Sequence, residues 1–504
     1  MSDLPPSLAS YYHEQTKYHP QTLAQKSRGL DWESQPAVFK EYKIGTVYDL
    51  KPYLSEPIAP GTEEEQWARL SRLLACSYGL TATVATIGQP MYLRAAPSAG
   101  GLYPAEIYLL SRGTKSLPSG LYSYQPQTHS LVHFWQDTVW SKLQEACFYP
   151  AVLSKVSLAL VTTAIFYRSV WRYEDRAYRR IFLDTGHLLG NIELASAINE
   201  YRPYLLGGFQ DQAIAALLYL EPQQEAVMTV IGLQDYQQNP APLERPAPAL
   251  PSTIHRDYPN LKDGELLPYF HQTTEIQTQI AIPAENKPLE DKYNFPFCLK
   301  IPTQTNPIDW QPGLTGLEKA ILRRRSTRAY SGANLSIEEL KALLDFTYQP
   351  HHYQYQELDP QPDYFDLSLI QSFVAVSGVN GLEEGCYYYA PLAQELRQIR
   401  FKNFRQELYY LCLGQALGRD AAAVIFHTAD LEQAVKLYGD RAYRYLHMDA
   451  GHLGQRLNLA AIYLELGVSG IGGFFDDQVN EVLGIPADEA VLYITTLGRP
   501  RYAN

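Results

Sequence analysis

Cysteine is scarce in this chain: Cys76, Cys147, Cys298, Cys386 and Cys412 are the only five among 504 residues. They are scattered, odd in number and form no CxxC, so neither a disulfide framework nor a structural zinc site is expected. Long apolar runs are missing as well. The longest, LALVTTAIFY, falls short of the ~18 residues a spanning helix needs. The N-terminus MSDLPPSLAS shows no basic-then-apolar leader. These absences point to a soluble, cytoplasmic protein with no membrane partner. Positive charge is in deficit, 42 Lys and Arg against 54 Asp and Glu for a net −12, which argues against nucleic acid as the main partner. No GxGxxG or GxxxxGK stands at a strand–helix junction. His187 and His452 lack carboxylates at ligand spacing, so no metal site is expected.

What the chain does have is apolar mass, 46% of its residues, and tyrosine, 39 against 17 Phe and 6 Trp. Length alone allows about three domains. A repeat overrides that count. Asp175-Arg-Ala-Tyr-Arg179 recurs as Asp440-Arg-Ala-Tyr-Arg444, and the offset of 265 also relates Gly186-His187 to Gly451-His452. Gly207-Gly208-Phe209 returns as Gly472-Gly473-Phe474, and Gly120-Leu-Tyr-Ser-Tyr124 as Gly385-Cys-Tyr-Tyr-Tyr389. A fixed offset sustained over some hundred residues marks a tandem duplication.

Between the copies, residues 235–315 hold 13 of the 34 prolines. Proline disfavours helix and central strand, so this stretch reads as an extended linker, with aromatics that would let it wrap one half. The expected organisation is therefore a half at 1–234, a linker at 235–315 and a half at 316–504. Helical spacing after each DRAYR and short strand-like runs such as AEIYLL and AVLYITTLG give each half an α+β character. The acidic Glu63-Glu64-Glu65 reads as a solvated helix start. His187, His452 and the repeated Arg176, Arg179, Arg441 and Arg444 read as packing or half-to-half contacts.

Two segments carry candidate chemistry. Arg324, Arg325, Ser326 and Arg328 put three guanidiniums and a hydroxyl within five residues, a combination suited to a phosphate. Pro97, Ser98, Ala99, Gly100 and Gly101 form a loop of small residues that lets backbone approach a flat ligand. Alone, each has a plain alternative: a solvated basic helix end, and an ordinary turn.

Together, RRSTRAY, PSAGGLYP, the GGF element and the final LGRP resemble the FMN-dependent nitroreductase superfamily. YHEQTKYHPQTL, GLDW with QPAVFKEY, and RYEDRAYR with DTGH are similar to its SagB/ThcOx-type dehydrogenases, which include azoline-to-azole oxidases. That resemblance implies two like folds, mixed and largely antiparallel sheets wrapped by helices, pairing around FMN. It implies that Arg324, Arg325, Ser326 and Arg328 hold the phosphate end, with Arg499 as the C-terminal basic contact. Gly472 and Gly473 would offer backbone donors near the ring, Gln415 its polar edge, and the Pro97–Gly101 loop would arrive from the other fold. The relatives' Lys-Tyr pair falls on Arg172-Tyr173 and on Leu437-Tyr438, which makes Tyr173, Arg172 and Tyr438 the catalytic candidates. Arg172 stays charged and is a poor general base, which suits positioning better than proton abstraction.

The register adds an expectation of its own. At offset 265 the Pro97–Gly101 loop falls on Pro362-Asp-Tyr-Phe-Asp366, which has lost its small residues, while RRSTR is matched to His13-Glu14-Gln15-Thr16-Lys17. Gln415 falls on Pro150 and Arg499 on Asp235. The surviving parts are complementary, so one FMN per chain is expected, in an intramolecular pseudo-dimer. A second site would gather Glu14, Asp235 and Asp363, whose charges repel a phosphate. The expected activity is FMN-dependent oxidoreduction of a small or peptide-derived substrate, with oxygen or NAD(P)H as redox partner. NAD(P)H-driven reduction of nitro compounds or quinones is the alternative within that class, and a non-catalytic flavin- or peptide-binding scaffold the alternative outside it. A pseudo-dimer can act as a monomer or pair further as a homodimer.

Overall fold

A computed structural model describes residues 5–25, 29–55, 61–86, 90–282 and 290–502. Each half is built on one seven-stranded sheet. In the first the order is Thr46–Asp49, Ser130–Trp135, Gly120–Gln125, Ala105–Ser111, Leu158–Ile165, Glu225–Asp235, Tyr201–Leu206, every neighbour antiparallel. The second sheet repeats it with Lys300–Pro302, Glu395–Arg400, Gly385–Ala390, Gln371–Val376, Ala423–Asp430, Glu489–Gly498 and Gly467–Ile471. Even a register slip recurs, between Thr162 and Thr163 and again between His427 and Thr428. The expected α+β class with two like halves is the fold adopted. No helix among the described residues is long and apolar enough to cross a membrane.

The DRAYR segments lead into two long helices, Ala177–Ile198 and Ala442–Tyr463. Both are buried on nearly every face, so they must pack against protein all round, and they pack against each other. Glycine makes this possible. A Cβ at Gly186 would overlap the Met448 carbonyl oxygen and lie 2.9 Å from the Gly451 Cα, and one at Gly451 would overlap the Leu183 carbonyl oxygen. The helices thus cross backbone on backbone at the pseudo-dyad.

Burying these helices also buries their arginines, which must find charge partners. They find them across the halves, reciprocally. Arg176 and Arg179 hold Asp476 at 2.9 and 2.7 Å, and Arg441 and Arg444 hold Asp211 at 2.7 and 2.8 Å. Burial works against the Asp476 charge, but the two guanidiniums override it and keep the carboxyl far below its ordinary range.

Residues 235–315 are not a linker between finished halves. Leu266–Thr273 is a helix equivalent to Leu8–Gln15, at an offset of 258. His13 Nδ1 meets the Tyr443 hydroxyl at 3.2 Å, as His271 Nδ1 meets Tyr178 at 3.2 Å. Thr16 binds Arg179 and Thr274 binds Arg444; Tyr12 and Phe270 stack at 4.5 Å over the dyad. Farther on, Lys40 pairs with Glu225 and Lys292 with Glu489 before each edge strand begins. The proline-rich stretch is therefore mostly the second copy's own N-terminal arm, and each arm lies across both halves. Proline hid the equivalence, since few side chains in the arms are identical.

This corrects the match made for RRSTR. His13–Lys17 answers His271–Glu275, not Arg324–Arg328. The clamp follows the edge strand Lys300–Pro302 and the helix Thr315–Arg323, in a stretch, 303–336, answered only by the much shorter 50–62. The shorter counterpart in the first half carries no arginine. Glu14, Asp235 and Asp363 accordingly do not converge: they pair with Lys17, Arg69 and Arg202 at 2.7, 2.6 and 2.7 Å.

Asp211→Ala strands two buried arginines and is expected to cost about 3–5 kcal/mol, read from the urea midpoint, with Asp476→Ala costing a like amount. Gly451→Val forces the central helices apart and should lower stability by about 1–3 kcal/mol or more in the same assay.

Candidate functional site

A cleft of about 150 Å3 opens between the halves, lined by Pro97–Gly101 from the first and by Ser326, Arg328 and Gly472 from the second. Sequence reasoning placed these residues in one site. It did not single out Arg180, Leu183, Asp184, Ser469, Gly470 and Tyr493, which complete the lining, and it read His187, also in the wall, as packing only.

The small-residue loop is held from below. Asp184, on the first central helix, accepts from the Ser98 hydroxyl at 2.6 Å and the Ala99 N–H at 3.1 Å. Gly100 sits at φ +67°, and a Cβ there would meet the Tyr173 hydroxyl at 2.7 Å and Arg172 Cδ at 3.3 Å. The helix Phe166–Tyr173 thus sets Arg172 and Tyr173 against the loop at the cleft. The Arg180 guanidinium lies 3.5 Å over the Tyr173 ring and donates to the Gly472 carbonyl at 3.2 Å, joining the halves. Burial keeps the Tyr173 phenol above its ordinary pKa, with Arg180 and Arg172 opposing the shift.

Arg324 does not itself line the cleft; it is buried two residues before Ser326 and donates to the Ala95 and Arg94 carbonyls at 2.8 and 3.2 Å, while its Nη1 finds no partner among the described residues. Burial, helped by Arg325 and Arg328, pulls its pKa down to about 10, so it remains a cation at neutral pH. Ser326 and the exposed Arg328 make no hydrogen bond or ion pair among the described residues. Arg325 is used elsewhere: it donates to the Thr81 hydroxyl and carbonyl at 3.1 Å each, pinning the Leu80–Val84 strand. Arg499 does not line the cleft either, because Glu339 of a capping box takes it at 2.7 Å. Gln415 donates to the Cys412 carbonyl within its own turn, and Gly473 lies beside the cleft against Leu413, Arg180 and Tyr18.

The pseudo-symmetric position is filled. Where the first loop has Ala99 and Gly100, the second has Tyr364 and Phe365, which stack on His452 at 4.2 Å and on Tyr445 at 4.6 Å. A Cβ at Gly207 would overlap the Phe365 ring. Tyr438, the counterpart of Tyr173, is buried here and bound to Asp366 at 2.9 Å, so it takes no part in the open cleft. Asp449 receives the Phe365 and Asp366 N–H groups much as Asp184 receives Ala99. One side is a cavity of about 150 Å3; on the other the rings leave only about 20 Å3, lined by Leu205, Asp363 and His452 among others.

His187 bonds Gln455 and the Tyr493 hydroxyl at 2.9 Å each, and burial drops its pKa to about 3, so it stays neutral. Burial raises Asp184 to about 7, against the pull of its Ser98 and Ala99 bonds. A carboxyl whose pKa is higher folded than unfolded stabilises fully below pH ~4, and that contribution is lost as pH rises through about 7. Asp184→Asn keeps the loop bonds, so it should reduce the fall in urea midpoint between pH 4.5 and 7.5; Asp449, raised to about 8, contributes to the same fall.

The Nitroreductase family profile matches residues 51–232 and 321–499, once on each half. The crystal structure of a putative nitroreductase from Anabaena variabilis is 64% identical, covers 98% of this chain and 100% of its own, and superposes with a TM-score of 0.93. Putative nitroreductase MJ1384 of Methanocaldococcus jannaschii is 32% identical over 183 residues, 36% of this chain and 90% of its own length. The Escherichia coli Microcin B17-processing protein McbC is 28% identical over 139 residues, 27% of this chain and about half (51%) of McbC. The chain belongs to the nitroreductase family, with two copies of the family domain in a single polypeptide.

Proposed function

We propose that this chain is an FMN-dependent oxidoreductase holding one flavin between its halves. The observation that carries the reading is the buried, unpartnered Nη1 of Arg324 beside a donor-rimmed cleft whose pseudo-symmetric counterpart is filled by Tyr364 and Phe365. The residues present suit the cofactor. Arg324, Ser326 and Arg328 form a cationic, hydroxyl-bearing end matched to a phosphate. Gly100 and Gly472 put bare backbone in the lining and let Tyr173 and Arg180 pack close, since a Cβ would come 2.7 Å from the Tyr173 hydroxyl or 3.0 Å from Arg180 Nε. When bound, the flavin would supply hydride chemistry, which amino-acid side chains lack.

The protein's own part is positioning and proton handling. The Tyr173 hydroxyl, protonated at neutral pH, has no hydrogen-bond partner among the described residues, unlike Tyr438, and can donate to a substrate atom. Arg172 is exposed and makes no ion pair among the described residues, so it offers a fixed cation to orient an acceptor. Dehydrogenation of a peptide-derived substrate is the preferred activity, supported by the motif set and the match to McbC. Reduction of nitro compounds or quinones with NAD(P)H is the second reading, supported by the match to MJ1384.

Purified protein should carry close to one flavin per chain by absorbance. A ratio near two would overturn the single site, and colourless protein that takes up no FMN would overturn the reading. Tyr173→Phe should slow turnover by about 10²–10⁴-fold with flavin content unchanged.

A further inference from the structure

We infer that Arg180 is a positioning residue of this site, holding Tyr173 across the junction and directing one guanidinium N–H, with its charge, at the bound flavin. The inference rests on the flavin reading above. Arg180 is buried at 6% exposure, and its nitrogens are distributed unequally. Nη2 donates to the Gly472 carbonyl, while Nη1 is buried with no partner among the described residues. A buried guanidinium nitrogen left unpaired is costly, and the wall it belongs to faces the cleft.

The repeat supplies an internal control. Arg180 corresponds to Tyr445, whose hydroxyl donates at 3.1 Å to the Gly207 carbonyl, the counterpart of Gly472. The Gly207 carbonyl also accepts from Arg441 Nε at 3.0 Å, so on the closed side it is served without a cation at position 445. There Tyr445 stacks on Phe365, and its hydroxyl also bonds the Leu250 carbonyl at 2.9 Å. On the open side the same position carries a cation with a donor to spare, stacked on Tyr173, whose hydroxyl, unlike that of its counterpart Tyr438, has no hydrogen-bond partner among the described residues. Tyr173 and Gly472 fix where the guanidinium lies, in the lining of the cleft.

A fixed cation favours the more negative, reduced state of a neighbouring group. Arg180→Met should therefore lower the flavin reduction potential, shift the flavin visible bands and weaken FMN binding by about 5–30-fold, while Arg180→Lys restores most of the potential. The measurements are dye-equilibrated potentials, visible spectra and FMN titrations, with circular dichroism to check folding. Loss of flavin in R180M with retention in R180K supports the inference too, since charge is then what binding needs. A wild-type potential and spectrum in R180M, or loss of flavin from both folded variants, overturns it and leaves Arg180 a bracket between the halves. Wild-type protein that binds no FMN overturns the flavin reading itself, a separate result.

Discussion

The contact between Gly186 and Gly451 sets the geometry of the whole molecule. Two helices buried on nearly every face can approach backbone to backbone only where neither carries a side chain. That closeness fixes how far apart the sheets stand, and with it the width of the cleft beside the dyad. Asp184 and His187 flank Gly186 and reach the cleft, while Asp449 and His452 flank Gly451 and reach its filled counterpart. The reciprocal ion pairs to Asp476 and Asp211 then lock the rotation of one half against the other, because each carboxylate needs both guanidiniums of the opposite half.

On this symmetric frame the two sides differ by a few side chains. Ala99 and Gly100 against Tyr364 and Phe365, and Gly470 against Leu205, exchange vacancy for volume, while Arg180 against Tyr445 exchanges a cation for a neutral ring. The rings that close one side stack on residues of the frame, so closure also contributes packing there. Arg324 and Arg180 on the open side keep an unpaired nitrogen each, as Arg441 does on the closed side.

Much of this was legible from sequence because the central helices kept their register. DRAYR, Gly-His and Gly-Gly-Phe hold a constant offset through the core, where an insertion would disrupt packing. The arms were misread because they slipped to an offset of 258, with Tyr12 answered by Phe270 and Lys17 by Glu275, pairs whose shared role only contacts reveal. The clamp's partner could not be found by matching, since its counterpart in the first half, 50–62, is much shorter and carries no arginine. Arg180 was overlooked for the opposite reason: it stands next to the matched DRAYR, where similarity drew notice and difference carried the information. Arg325 and Arg499 have the right chemistry, but Thr81 and Glu339 engage them, and side-chain pairing across 160 residues or more leaves no local signal.

The second arm, by joining the copies covalently, changes what mutation can do to them. In a homodimer encoded once, every substitution appears on both sides of the axis, so a phenylalanine that fills one cavity fills both. Fusion into a single chain gives each side its own codons. Position 365 could become a ring while position 100 stayed glycine, and one side was released to serve as buttress for the other. The asymmetry of this molecule is thus a heritable option that the covalent link created, and one that a non-covalent pair of identical chains does not have.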